Sequence, residues 1–426
     1  MEAVVLAAGE GIRLRPLTLT RPKHVIPVGG KPLLEHLLTS LKTADIDEAL
    51  IVVHYMADRI WQYFGDGSHL GMKIDYIVQK QIGGTADAVR TAEDYAKEDF
   101  LLVYGDLYIT SNIIKQILHS YEKEKPTAAM TVVPVKNPEQ YGIVELDGSH
   151  VTGIVEKPQP KEAPSNLANA GIYIFQPEIF EKIRQTSKSS RGEWEITDSL
   201  RLIIQEGKNS VLAVQVSSEE WLDVGRPWDL FEANQRALNQ AELIVDGEIE
   251  DGVHLFGPVT VGKQARIRSG AYIKGPAFIG AHSDIGPNCF IRPHTSIGKN
   301  VRVGNACEIK NSIIMDKAHV GHLSYVGDSI IGEECNLGAG TIVANYRFDA
   351  KTIKMTLKDE VVDTERTKLG VILGDRVKTG INTLFMPGVK VGNDSWIGPN
   401  VIAYRDVPAN TVLLLKQETE QKEKRR

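Results

Sequence analysis

The stretch GEGIRLRPLTLTRPK, residues 9–23, passes through Gly9 and Gly11 and then sets Arg13, Arg15, Arg21 and Lys23 within eleven residues. Glycines let backbone N–H groups approach phosphate oxygens, and the cations neutralise phosphate charge. Two carboxylates further along suit the same ligand. Asp106 closes the apolar run FLLVYGD (100–106), and Asp223 lies in WLDVG (221–225). A pair of acid side chains can hold Mg2+ against a triphosphate. In VEKP (155–158), Glu156 can accept from sugar hydroxyls and Lys157 can meet a phosphate. QKQIGGTADAV (79–89) offers a Gly-Gly-Thr turn at a helix start, suited to hydrogen bonds with a base or ribose. Taken singly, each piece also fits a capped turn or a strand end.

A second set of reactive residues sits in the other half of the chain. GHLSYVGD (321–328) places His322 three residues before Tyr325, and LGAGTIVANY (337–346) ends on Asn345 and Tyr346. Lys351 and Lys354 follow in a polar stretch. Histidine is the natural base for taking a proton from an ammonium near neutral pH. The plain alternative is a hydrogen-bonded turn histidine. The Gly-Ala-Gly run leaves room for a thin cofactor against the backbone.

Two kinds of scaffold must position these groups. Up to about residue 240, apolar runs alternate with helical spacing: strands in VVLAA (4–8), EALIVVH (48–54), KIDYIVQ (73–79) and FLLVYGD, and helices in PLLEHLLTSLKTA (32–44), DRIWQYF (58–64) and from about Thr85. This rhythm predicts a mostly parallel sheet with helices on both faces, whose ligands sit at the carboxyl ends of the strands. Past Asp246, aliphatics recur every six residues at Val261, Ile267, Ile273, Ile279, Ile285, Ile291, Ile297, Val303 and Ile309. With spacings of five or six they continue to Val343 and resume from Leu373 to Ile397. A β-coil with one inward aliphatic per short side explains a period of six, each coil burying its face on the next. PWDLFEANQRALNQAEL (227–243) reads as a connecting helix, and RFDAKTIKMTLKDEVVDTERTK (347–368) as a surface excursion from the coils.

Composition narrows the function class. The 426 residues carry a net charge of -6, which gives no general attraction to nucleic acid or an anionic membrane. Cys289, Cys307 and Cys335 form no CxxC pair, so they read as buried thiols of a reducing compartment. The opening MEAVVLAA lacks the length and flanks of a secretory signal, and no run approaches membrane-spanning length. The expected location is cytoplasmic.

The first half resembles the sugar-1-phosphate nucleotidyltransferases, in LAAGEGIRLRPLTLTRPKHVIP followed in order by YGD, YGIVE, VEKP, NAGIY and WLDVG. The resemblance implies an α/β Rossmann-like domain with Arg13 and Lys23 as the catalytic cations on the nucleotide phosphates. It implies Gly9, Gly11, Gln79, Gly84 and Thr85 around the nucleotide, and Asp106 and Asp223 on Mg2+. Gly142, Glu156 and Asn169 would hold the sugar, with Lys157 on its phosphate. Ile12 stands where the family commonly has Thr or Ser, so one hydroxyl contact to phosphate is missing.

The second half is similar to the left-handed parallel β-helix acyltransferases of hexapeptide repeats. It most resembles the acetyltransferase half of the bifunctional N-acetylglucosamine-1-phosphate uridyltransferase/glucosamine-1-phosphate acetyltransferases, in IRPHT, EIK, GHLSYVGD and GAGTIVANY. That resemblance implies His322 as the base on the glucosamine amine, and Arg292 and Lys310 on the sugar phosphate. Tyr325, Asn336 and Lys351 would complete the acceptor pocket, with Asn345 on acetyl-CoA and a homotrimer as the assembly. The long excursion replaces a shorter family connection there.

The resulting division is a nucleotidyltransferase domain over 1–226, a connecting helix over 227–246, an acetyltransferase β-helix over 247–410 and a charged tail over 411–426. The expected function is synthesis of UDP-N-acetylglucosamine from glucosamine 1-phosphate in two steps, with UTP or dTTP as nucleotide and galactosamine 1-phosphate as a possible acceptor. One alternative is a glucose-1-phosphate thymidylyl- or uridylyltransferase whose β-helix only oligomerises or regulates. GHLSYVGD and GAGTIVANY argue against it, since a scaffold coil has no use for them. The other is a nucleotide-sugar sensor, which could tolerate losing a metal ligand. The intact set of Arg13, Lys23, Asp106 and Asp223 argues against that.

Overall fold

The computed structural model describes residues 1–189, 191–207 and 210–422. The chain forms two units. The first comprises residues 1–11, 21–26 and 31–225; the second comprises 12–20, 27–30 and 226–426.

The first unit is built on a nine-stranded mixed sheet. Lys73–Val78, Glu48–Val53, Glu2–Ala7 and Phe100–Tyr104 lie side by side in parallel. Leu167–Phe175 then runs antiparallel to Phe100–Tyr104, and Ala128–Pro134, Val211–Gln215, His150–Glu156 and Gly142–Asp147 complete the sheet. The central strands are apolar on both sides because helices cover both faces. In the helix Leu33–Thr43, the buried Leu34, Leu37, Leu38 and Leu41 follow helical spacing and pack on one face with Val5 and Ile51. Val4, Leu102 and Tyr173 point to the other face, against Val89 and Leu200. The carboxyl ends of Glu2–Ala7 and Phe100–Tyr104 therefore open side by side, where the loops at Gly9 and Asp106 begin.

The second unit is a three-faced parallel β-helix with sheets of eight, nine and eight strands, each joined to the strand one coil away. All nine aliphatics from Val261 to Ile309 are fully buried and stack through the prism. The six-residue period has a backbone cause as well as a packing one. Three residues before the inward aliphatic, the corner residue adopts a positive φ, as at Gln264, His282, Asn288, Asn300 and Ala306. That conformation turns the chain through the corner, and non-glycine residues adopt it only where the surrounding structure fixes them. The three cysteines are buried among these coils and form no disulfide, and burial pushes the Cys289 thiol up to about 12.

The helix Pro227–Asn239 belongs to this unit and docks on the prism. Asn234 accepts from Gly29 N–H at 2.8 Å and from Ser296 at 2.6 Å, and Gln235 donates to Asn311 at 2.8 Å. The excursion contains an antiparallel hairpin, Lys354–Leu357 with Glu360–Asp363. Its Ile353, Met355 and Leu357 are buried, and Lys390 donates from Nζ to the Thr356 carbonyl. The last strand is Val412–Leu413, and residues 423–426 of the expected tail lie outside the described residues.

Candidate active sites

In the first unit, the turn after Phe100–Tyr104 carries Asp106. Gly105 is required there: its N–H donates to Leu6 O at 2.9 Å, and a Cβ would stand 2.7 Å from that oxygen. Asp223 reaches the same edge through a short antiparallel ladder pairing it with Leu107, and Val224 N–H donates to Asp106 O at 3.1 Å. The two acids are thus backbone neighbours although 117 residues apart in sequence. Lys23 forms an ion pair with Asp106, both side chains about 15% exposed. Burial alone would raise the Asp106 carboxyl, but the Lys23 ammonium overrides it and holds the group below its ordinary value. Beneath them His24 is fully enclosed, with no partner for Nδ1. Burial, then Lys23, lowers its pKa to about 3, so the ring is neutral at physiological pH. Gly9 and Gly11 lie in the loop after Glu2–Ala7, Gly11 at φ +64 and Gly9 with open space at its Cβ position. Arg13 stands exposed in the short turn Ile12–Leu14, which belongs to the second unit.

The remaining predicted residues of this unit form two groups. Gln79 is buried and donates to Asp87 at 2.8 Å. Gly84, at φ +107, has no room for a side chain because a Cβ would meet the Trp194 carbonyl at 2.5 Å. Thr85 accepts from Ile196 N–H at 2.9 Å, so the Gly-Gly-Thr turn is fixed to the segment 194–196. In the second group, Gly142 pairs with Glu156 across a ladder, and Asn169 Cβ lies 3.9 Å from the Cβ position of Gly142. Asn169 donates to Tyr173 OH at 2.5 Å, and Tyr173 lies 3.2 Å from Tyr104 OH. Burial pushes the Tyr173 phenol up to about 12. Lys157 follows Glu156 at the strand end, exposed, at φ +47. Arg191, which sequence reasoning did not single out, bridges Glu156 at 3.2 Å and Glu195 at 2.8 Å. No motif marks it, because its partners are 35 residues back and four residues on.

On the prism, one sheet gathers most of the second set. Phe290, Glu308, Tyr325 and Ile342 lie in register on successive coils, with Arg292 and Lys310 at the ends of their strands. Arg292 pairs with Glu308 at 2.8 Å. The hub is Asp328, only 5% exposed and absent from the predicted set. It accepts from Lys310 at 3.1 Å, Asn311 at 2.7 Å and Asn345 at 2.5 Å, and Asn345 also reaches Tyr325 OH at 3.2 Å. Burial raises the Tyr325 phenol, and Asp328 and Glu308 add to the shift. His322 is exposed at the corner leading into Tyr325, its carbonyl accepting from Ser324 Oγ at 2.7 Å and Gly340 N–H at 3.1 Å. Asn336 is not part of this group: it stands on the adjoining sheet, in register with His319 and Lys378. Lys351 is exposed at the start of the excursion, its N–H bonded to Asp349. The side-chain spacing of 17 or 18 between Asp328 and its partners is one coil, a signal a coil-by-coil reading could have found.

Known proteins match both units. The nucleotidyl transferase family model covers residues 2–240, and the model of the GMPPB C-terminal domain covers 273–385. A bifunctional protein GlmU of Methanocaldococcus jannaschii is 44% identical over 98% of both chains. A bifunctional sugar-1-phosphate nucleotidylyltransferase/acetyltransferase of Sulfurisphaera tokodaii is 38% identical over 96% of this chain and 98% of its own. A solved UDP-glucose pyrophosphorylase complexed with UDP-glucose superposes with a TM-score of 0.51 at 26% identity, covering 56% of this chain and 98% of its own. With full-length relatives of this kind and the nucleotidyl transferase model spanning more than half its length, the chain belongs to the bifunctional GlmU-type sugar-1-phosphate nucleotidylyltransferase/acetyltransferases.

Proposed function

We propose that the prism N-acetylates glucosamine 1-phosphate with acetyl-CoA, and that the first unit then transfers a nucleotidyl group from UTP to the sugar 1-phosphate. The products are UDP-N-acetylglucosamine and pyrophosphate. The observation that carries this reading is the clustering of two separate polar sites. One is Lys23 with Asp106 and the neighbouring Asp223; the other is Lys310, Tyr325, Asp328 and Asn345 beside the His322 corner.

In nucleotidyl transfer, the sugar phosphate oxygen attacks the α-phosphorus in line and pyrophosphate leaves, so positioning and neutralisation are the main tasks. Lys23 leaves Asp106 for a phosphate oxygen when nucleotide arrives, which frees the carboxylate. Gly9 and Gly11 offer backbone amides, Arg13 a second cation, and Gln79, Gly84 and Thr85 the wall for the base. Gly142, Glu156 and Asn169 bind sugar hydroxyls, and Lys157 steers the incoming phosphate. Asp106 and Asp223 suit Mg2+, which takes one or two carboxylates and completes its shell with phosphate oxygens and water. Such an ion, when bound, offsets triphosphate charge; among the described residues no group of three His, Cys, Asp or Glu forms a protein-only cage.

In acetyl transfer, His322 takes the ammonium proton so that a neutral amine can add to the thioester carbonyl. Arg292 and Lys310 hold the sugar phosphate, Tyr325 and Lys351 the rest of the acceptor, and Asn345 the acetyl-CoA. The outward row His254, Tyr272, Phe290, Glu308, Tyr325, Ile342, Leu384 and Ile402, apolar or aromatic at all positions but Glu308, supports a homotrimer packed through this face. Buried thiols support a cytoplasmic enzyme, and no helix among the described residues is long and apolar enough to cross a membrane.

The test is a double dissociation. His322→Ala should abolish thiol release from acetyl-CoA and spare pyrophosphate release, and Asp106→Asn should do the reverse. Equal loss of both activities in His322→Ala would point to a collapsed assembly and remove His322 as the base.

A further inference from the structure

A cavity of about 760 Å³ opens in the second unit, away from the acetyl-transfer corner. Its walls are the excursion hairpin, the stretch Ile12–Arg15 and two successive prism corners, Pro387–Lys390 and Tyr404–Asp406, all in this unit. His322 sits at the edge between the second and third sheets, and Pro387–Val389 link the third sheet back to the first. The two sites therefore occupy different edges of the prism.

The charge of the lining is one-sided. Arg13, Arg15, Lys354, Lys358, Lys390 and Arg405 face it, against the carboxylates of Asp359 and Asp406. Asp406 is already paired with Lys390 at 3.6 Å. Arg13, Lys354, Lys358 and Arg405 make no ion pair among the described residues. Like charges gathered in one concave site repel one another and focus a positive potential, which an incoming anion relieves. The hairpin keeps Lys358 there in a backbone shape that costs it: Lys358 and Asp359 both have positive φ, where Asn-Gly is the usual pair. Apolar surface accompanies the cations, from Met355, Pro387 and the exposed ring of Tyr404. The volume falls within the range of small-molecule sites.

We propose that this cavity binds a small organic polyphosphate, a nucleotide or nucleotide sugar, with the phosphates on Lys354, Lys358 and Arg405 and the organic part against Tyr404. This site is additional to the two reaction sites proposed above and does not depend on that reading.

Calorimetric titration of the full-length protein tests it, with UDP-N-acetylglucosamine and inorganic tripolyphosphate as probes. The wild type should bind the nucleotide sugar in two classes of site. In Lys358→Gln/Arg405→Gln, one class should weaken at least about ten-fold, with the KM for UTP unchanged. Tyr404→Ala should weaken the nucleotide sugar and leave tripolyphosphate binding as it was. All three positions are exposed, so the variants should fold. Identical isotherms in wild type and double variant would overturn the site, as would a single class of site with a raised KM for UTP. Tripolyphosphate binding as tightly as the nucleotide sugar would overturn the organic part of the assignment. If the proposed nucleotidyl transfer were wrong, neither protein would release pyrophosphate, yet the difference between isotherms would stand.

Discussion

Lys23 with Asp106 in the first unit and Lys310 with Asp328 on the prism are both pairs of a lysine and a largely buried aspartate, yet their surroundings differ. Asp106 has Lys23 on its carboxylate and the neutral His24 behind it, whose Nδ1 has no hydrogen-bond partner. Asp328 has Lys310, Asn311 and Asn345 at once. A carboxylate with one salt-bridge partner can exchange it for a metal ion. One held by three side chains from the coils on either side cannot move without releasing all of them. The first pair is suited to changing partners during a reaction, the second to fixing the residues around a reaction.

Four experiments break or sharpen that contrast, in descending order of effect. Chelation of divalent metal should stop pyrophosphate release altogether and leave thiol release intact; unaffected nucleotidyl transfer would remove the metal from the account. Lys23→Ala should lower nucleotidyl transfer by about three orders of magnitude, as expected for a cation on the transferring phosphate, with circular dichroism unchanged. Near-normal turnover would take Lys23 out of the site. Asp328→Asn should weaken the acetyl acceptor by about ten- to a hundred-fold, since a buried unsatisfied group costs about 1–3 kcal/mol. The loss should appear in KM for the sugar more than in kcat, and nucleotidyl transfer should be unchanged. The smallest effect is on stability in acid. Asp106 is held below its unfolded value, so its contribution is present above the ordinary carboxylate range and lost as pH falls through the depressed folded value. Asp106→Asn should flatten that part of the acid unfolding curve, and an unchanged curve would show that the pair adds nothing there.

The two scaffolds were not equally legible in the sequence. The prism was plain because a short side has one inward position, so burial and corner geometry both repeat every six residues. The first unit showed its early strands and its loop motifs, but the insertion of Leu167–Phe175 between Phe100–Tyr104 and Ala128–Pro134 is a long-range pairing without a local mark. Asp106 and Asp223 were readable as ends of apolar runs, and their adjacency follows from a ladder of three residues each. Asp328 lay inside a quoted motif but looked like a corner residue, and its φ of +49 is indeed a corner's. Its role comes from neighbours one coil away. Arg191 was invisible because it acts through two glutamates brought together only by tertiary packing. Arg13 and the hairpin of the excursion share a cavity that no pattern along the chain could announce.

The most direct test of two chemistries in one chain uses the wild-type protein with acetyl-CoA, glucosamine 1-phosphate and UTP or dTTP in turn, following free thiol and pyrophosphate separately. The account predicts thiol release with no nucleotide present, and pyrophosphate release once a triphosphate is added to the acetylated sugar. Pyrophosphate release with no thiol released from any amino-sugar 1-phosphate would contradict it, leaving the prism a scaffold.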